Sequence, residues 1–153
     1  MSTVFEKIIA SEIPGNFVWS DESCVAFTTI EPVQPGHILV VPREPIDSWT
    51  DLPPELAGHL MNVSQIIGSA QMEAFEAPRT ALVIAGFEVP HTHLHLIPAY
   101  DERDTLLDGA QAATPAALTD AANSLRDILR KRGYHADIPW EVDAPASPAA
   151  PAR

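Results

Sequence analysis

Cysteine is nearly absent from this 153-residue chain. Cys24 is the only one, so an internal disulfide is impossible and a Cys-rich zinc site is excluded. That agrees with a reducing compartment. Basic residues are scarce as well. Nine Lys and Arg stand against 21 Asp and Glu, for a formal net charge of −12, and four of the nine crowd into Arg126, Arg130, Lys131 and Arg132. So acidic a chain is ill suited to long nucleic acid, which takes basic surface. A small phosphate ligand held by backbone N–H groups and imidazoles remains compatible. No apolar run approaches the roughly 18 residues of a membrane span. The N-terminus has no basic stretch leading into an apolar run, so no signal peptide is expected. A cytoplasmic protein with neither membrane nor nucleic-acid polymer as partner is the expectation.

What the chain does have is a row of histidines. Three of its six occur in His91-Thr92-His93-Leu94-His95-Leu96-Ile97-Pro98, at every second position. Alternate residues of a strand share a face, so a strand here lines one surface with imidazoles and turns Leu94 and Leu96 to a core. Metal binding is one reading. At the usual rise, however, the Cα atoms of His91 and His95 are about 13 Å apart. Two neighbours can share a zinc; all three hardly can. A packing role asks for a buried partner for every ring. The catalytic reading uses imidazole near neutral pH as nucleophile or general acid/base, with flanking rings orienting it and binding phosphate oxygens.

The surroundings read as α+β. Val4 to Ala10 is a short apolar helix or turn. Phe17–Ser20, Cys24–Ile30, His37–Pro42 and Thr80–Ala85 read as strands, the third continuous and central. Pro90 suggests an edge position or a bulge for the histidine strand. Leu56, Leu60, Val63, Ile67 and Ala70 recur at helical steps behind Pro53 and Pro54, giving a helix of about five or six turns, with Ser48 or Asp51 as its cap. A second helix runs from about 115 to 132 behind Thr114, with Leu118, Ala121, Ala122, Leu125, Ile128 and Leu129 as its apolar stripe. Its basic cluster lies where a helix dipole favours positive charge. One domain over 1–140 is expected, with 141–153 a disordered Pro/Ala-rich tail.

The histidine stretch resembles the signature of the histidine triad (HIT) superfamily. Val4-Phe5-Glu6-Lys7-Ile8-Ile9 with Glu12-Ile13-Pro14 resembles that family's N-terminal segment, and Pro35-Gly36-His37-Ile38-Leu39-Val40-Val41-Pro42 its strand with a fourth active-site histidine. The resemblance covers about residues 4–100. It implies a HIT-like fold: a mainly antiparallel five-stranded sheet with one long helix, here with an added C-terminal helix. It also implies a nucleotide hydrolase or nucleotidyl transferase, typically homodimeric, with no cofactor and no obligatory metal in the chemical step. The partner would be a purine nucleotide or nucleotide conjugate. His93 would attack the α-phosphorus and form a nucleotidyl-histidine, cleaving a phosphoanhydride or phosphoramidate bond. His95 would donate to a phosphate oxygen, His91 would orient His93 through its carbonyl, and His37 would complete the relay. Phe5, Ile8, Ile13, Phe27 and Ile30 would form an apolar base pocket; each also has a plain core reading.

Three departures bear on the substrate. Arg43-Glu44-Pro45 replaces the basic pair and further histidine of many members. Thr29 stands where an Asp or Asn usually holds the ribose, and a lone hydroxyl cannot chelate two hydroxyls. The link Ala85-Gly86-Phe87-Glu88-Val89-Pro90 lacks the usual Gln, and Glu88 brings a carboxylate close to the phosphate position, where like charge repels. Other readings are a weakly catalytic or non-catalytic nucleotide-binding module, a metal-dependent histidine-cluster enzyme, and, more weakly, the superfamily's uridylyltransferase branch.

Overall fold

A computed structural model describes residues 2–151. Five strands form one antiparallel sheet: β1 Phe17–Ser20, β2 Cys24–Thr28, β3 Ile38–Pro42, β4 Arg79–Val83 and β5 Leu94–Ala99, in the order β1-β2-β3-β5-β4. Three helices accompany it, α1 Val4–Ile9, α2 Pro54–Ala74 and α3 Pro115–Lys131. The α+β fold with one long helix and a C-terminal helix is as expected. β3 is the middle strand, and among the described residues no helix is long and apolar enough to cross a membrane.

Period-two alternation sorts the sheet's side chains onto two faces. Cys24, Ala26, Ile38, Val40, Leu94 and Leu96 pack against Leu60, Val63, Ile67 and Ala70 of α2 and Ala122, Leu125 and Leu129 of α3. Val25, Phe27, Leu39 and Val41 make a smaller cluster with Phe5 and Ile9 of α1 and with Phe17. The candidate site is built on this second face.

Four expectations need correction. The histidine strand is interior, between β3 and β4, and regular pairing begins only at Leu94. Pro90 stands in its irregular lead-in, where the missing N–H costs no ladder bond. There the Thr92 N–H and hydroxyl both donate to the Ile46 carbonyl, at 2.7 and 2.8 Å, so a loop takes the place of a strand neighbour. Second, Ser48 caps a 3-10 turn at Trp49–Asp51; α2 starts at Pro54 with no side-chain cap, its proline needing no N–H partner in the first turn. Third, Arg126 is not accounted for by the helix dipole. It is buried and donates to the carbonyls of Phe17 at 3.1 Å and Pro139 at 2.9 Å, tying α3 to β1. Fourth, the stretch expected as a disordered tail lies along the sheet. Phe17 N–H donates to the Val142 carbonyl, Ser147 Oγ to the Ser20 carbonyl at 2.7 Å, and Ala149 N–H to the Ala136 carbonyl. β1 is an edge strand, and these contacts satisfy backbone groups an open edge leaves unpaired. Residues 152–153 of that stretch lie outside the described residues.

Candidate active site

The site begins with a helix cap. Thr3 and Glu6 form a capping box on α1, Thr3 Oγ1 accepting from Glu6 N–H at 3.1 Å and Glu6 Oε1 from Thr3 N–H at 3.0 Å. Thr3 Oγ1 also lies 2.7 Å from His91 Nδ1. The His91 ring is fully buried, its Nε2 2.7 Å from the Pro42 carbonyl. A carbonyl only accepts, so Nε2 carries the proton, Nδ1 is the acceptor, and Thr3 donates to it. His91 is thereby locked between α1 and β3.

The same reasoning assigns the other rings. His93 Nδ1 lies 2.7 Å from the His91 carbonyl, so the proton is on Nδ1 and the Nε2 lone pair is free. Phe5 packs edge-on against both rings, with centroids 5.6 Å from His91 and 4.8 Å from His93. His37 Nδ1 accepts the Val33 N–H at 3.0 Å, which puts its proton on Nε2. That proton is donated to His95 Nδ1 at 3.0 Å, so His95 in turn carries N–H on Nε2. His93 and His95 sit with ring centroids 4.9 Å apart. A free lone pair and a free N–H stand side by side.

Electrostatics agree with four neutral rings. Burial, then the neighbouring His95, lowers the His37 pKa to about 3. Burial, then His93, lowers that of His95 to about 4. Burial also lowers His91, against its bond to the Pro42 carbonyl, and lowers His93, against the His91 carbonyl and the charge of Glu88.

Two backbone features hold the pairs in place. Gly36, just before His37, has φ +88°, and a Cβ there would lie 2.2 Å from the Phe75 ring. Only glycine meets both demands. Gln71 of α2 is fully buried, and its Nε2 donates to the carbonyls of Gly36 at 2.8 Å and Leu96 at 2.9 Å, each next to a site histidine. Both Gln71 and Thr3 were missed in the sequence. Each had a signal: Gln71 falls four residues after Ile67 on the apolar stripe, and Thr3-Val4-Phe5-Glu6 has capping-box spacing.

His37, His93 and His95 open on a cleft of about 390 Å³, shared with Thr29, Glu31, Gly86, Phe87, Glu88 and Leu107 among others. Thr29 and Glu88 are both on the wall of this cleft. His91 does not line the cleft, and neither do Phe5, Ile8, Ile13, Phe27 or Ile30. Phe5 and Phe27 are buried against each other at 5.8 Å, Ile8 packs at their margin, Ile13 is half-buried, and Ile30 is exposed. The apolar surface of the cleft comes instead from Phe87 and Leu107, on loops either side of β5. The triad does not gather its nitrogens on one point: among the described residues, the one trio of potential ligands that converges is Asp21, Cys24 and His59.

Known proteins resemble this chain in sequence and fold. A family model described as HIT domain matches residues 10–102. An adenosine 5'-monophosphoramidase of Saccharomyces cerevisiae is 33% identical over 118 residues, 76% of this chain and 72% of that protein. The protein hit of Bacillus subtilis is 35% identical over 106 residues, 66% of this chain and 73% of its own length. Among solved structures, a Zn-bound histidine triad family protein from Mycobacterium smegmatis aligns with TM-score 0.75 at 26% identity, covering 88% of this chain and 97% of that one. A Hit-like protein from Bartonella henselae aligns with TM-score 0.74 at 26% identity, covering 83% and 96%. With more than half its length matched by the HIT domain and the fold shared across both structures, this chain belongs to the histidine triad (HIT) family.

Proposed function

We propose that this protein is a nucleotide-binding hydrolase or transferase that cleaves a phosphoanhydride or phosphoramidate bond at the α-phosphorus of a purine nucleotide conjugate. The observation that carries the reading is the pairing in one cleft of an unprotonated His93 Nε2 with a protonated His95 Nε2. In the first step His93 Nε2 forms a bond to phosphorus. The bond to the leaving group breaks, and that group departs with the electron pair and takes a proton from water. In the second step water attacks, the P–N bond breaks back to His93, and the water's proton goes to solvent. The His95 N–H bonds a phosphate oxygen as charge builds there. The His91 carbonyl orients His93 and stabilises the positive charge the ring gains on phosphorylation. His37 keeps His95 in its donating tautomer.

Phe87 and Leu107 offer the base an apolar surface, and Thr29 lines the same cleft, where the ribose would lie. The yeast monophosphoramidase supports a phosphoramidate among the substrates. The protein acts as a homodimer, for which the unpaired outer edge of β4 is available. Intact-protein mass spectrometry after brief mixing with adenosine and guanosine conjugates tests the reading. A nucleotidyl adduct on His93 is expected, with His93→Asn lowering turnover roughly 10⁴-fold or more. Full turnover by a folded His93→Asn protein refutes it.

One observation favours a second reading. Glu31 and Glu88 both line the cleft and oppose a polyanion. A nucleotide-binding module without turnover would bind ligand across the panel and show neither adduct nor product.

A further inference from the structure

On the helix-facing side of the sheet, away from the histidine cleft, three side chains from different elements converge. Asp21 lies in the β1–β2 turn, Cys24 opens β2, and His59 comes from α2. One carboxylate oxygen, Cys24 Sγ and one His59 ring nitrogen all lie within 4.8 Å of one another. Asp21 Oδ2 is 2.7 Å from His59 Nε2 and 3.6 Å from Cys24 Sγ. Tetrahedral zinc, with bonds of about 2.0–2.3 Å, asks for donor atoms about 3.4–3.7 Å apart. Small shifts therefore convert the trio into a ligand set, and the shift needed falls mainly on His59, which is half-exposed.

The surroundings are those of a supported site. Trp19 Nε1–H donates to Asp21 Oδ2 at 2.8 Å; the N–H groups of Ser23 and Cys24 donate to Oδ1 at 2.8 and 2.9 Å. Arg43 Nε–H holds the Asp21 carbonyl at 2.8 Å. The carboxylate is thus oriented by groups that are not themselves ligands, as in metal sites generally. The charges of Arg43 and Asp137 both act on Cys24, in opposite directions. His59 opens on a cleft of about 470 Å³ whose other walls include Glu22, Glu44 and Glu55. Arg43 also lines this cleft, and its opening to solvent leaves room for a water in a fourth position.

We propose that Asp21, Cys24 and His59 form a binding site for zinc or a similar borderline divalent metal, which staples α2 to the β1–β2 hairpin. The set of one thiolate, one imidazole and one carboxylate suits zinc rather than magnesium or calcium, which take oxygen ligands. On binding, the Cys24 thiol releases its proton to solvent and its sulfur bonds the metal. His59 gives up its bond to Asp21, carries its proton on Nδ1 and turns the Nε2 lone pair to the metal. Asp21 keeps its charge and its backbone donors.

The test uses the full chain, stripped with chelator and titrated with cobalt(II), which reports a sulfur ligand through a charge-transfer band in the near ultraviolet. One equivalent is expected to develop the band, and zinc to abolish it by displacement. Cys24→Ser should lose the band, His59→Gln should weaken binding at least tenfold, and His93→Asn should leave both unchanged. Cys24 is fully buried, so should Cys24→Ser fail to fold, His59→Gln at the half-exposed position decides. The proposal is overturned by a wild-type chain with no band, by a band that survives Cys24→Ser, by affinity unmoved in His59→Gln, or by binding that disappears with His93→Asn.

Discussion

The histidine pair makes the protein's stability steeply dependent on pH. In the folded state the His37 pKa is held near 3 and that of His95 near 4, against 6.5 for an unperturbed imidazole. Both shifts are downward, so the unfolded chain binds more protons than the folded one between those values and 6.5. Stability is fully present above pH 6.5 and falls as the pH drops toward the folded values. At pH 5 both rings are still neutral when folded and almost wholly protonated when unfolded. The pair's two protons correspond to a slope of about 2.7 kcal/mol per pH unit, to which His91 and His93, also lowered by burial, add in the same direction. Integrated from pH 7 to 5, each histidine contributes about 2 kcal/mol, for a loss of about 4 kcal/mol from the pair. That is a large share of a typical domain's 5–15 kcal/mol. Urea unfolding at half-unit steps from pH 7.5 to 5 measures it, provided the m-value stays constant. The Asp21 carboxyl stays out of the window, because it is held below its ordinary 3.8. Replacing His37 by Leu removes one of the two rings and should flatten the slope by about 1.4 kcal/mol per pH unit. A wild-type slope equivalent to less than one proton, or a His37→Leu protein with the wild-type slope, would refute the buried neutral pair.

Gln71→Leu keeps the volume but strips two buried carbonyls of their donor, next to His37 and His95. A loss of about 2–4 kcal/mol is expected in urea unfolding, from about 1–3 kcal/mol per unpaired buried group, and the displaced pair should lower any His93-dependent turnover. Ser147→Ala removes the donor to the buried Ser20 carbonyl. A loss of about 1–2 kcal/mol is expected, with faster amide exchange confined to β1 and residues 141–150; an unchanged midpoint would mean that the C-terminal stretch does not support the edge strand.

What the sequence disclosed and what it hid divide along a physical line. Alternation in Cys24–Thr28 and Ile38–Pro42, and the three- and four-residue steps from Leu56 to Ala70, are local, so the sheet and both long helices were legible. The inequality of the three histidines rests on their hydrogen-bond partners, because His91 and His93 precede the regular strand that begins at Leu94. Three of the four misreadings involve partners distant in sequence. Thr92 spends its N–H on Ile46 and so delays β5; Arg126 finds carbonyls on Phe17 and Pro139; Ser147 finds Ser20. A Pro/Ala-rich composition says that a segment cannot build a core, not that a neighbouring edge strand will leave it free. Phe5 and Phe27 were legible as apolar, but composition cannot say whether an aromatic lines a cleft or backs the ring that does.

Four identical side chains become different tools here through their hydrogen-bond partners alone. Carbonyls of Pro42 and His91 dictate where His91 and His93 keep their protons; the Val33 amide does so for His37 and, one bond further, for His95. None of these partners is a charged group, so the tautomers do not depend on a carboxylate staying ionised. They depend on the rings staying neutral, and burial secures that. The same burial lowers the histidine pKa values and makes unfolding take up protons. Acid sensitivity and a free Nε2 on His93 are then two consequences of one arrangement. A substitution that opened the site to water and raised the histidine pKa values would lose less stability between pH 7 and pH 5. It would also protonate the nitrogen on which the proposed chemistry depends.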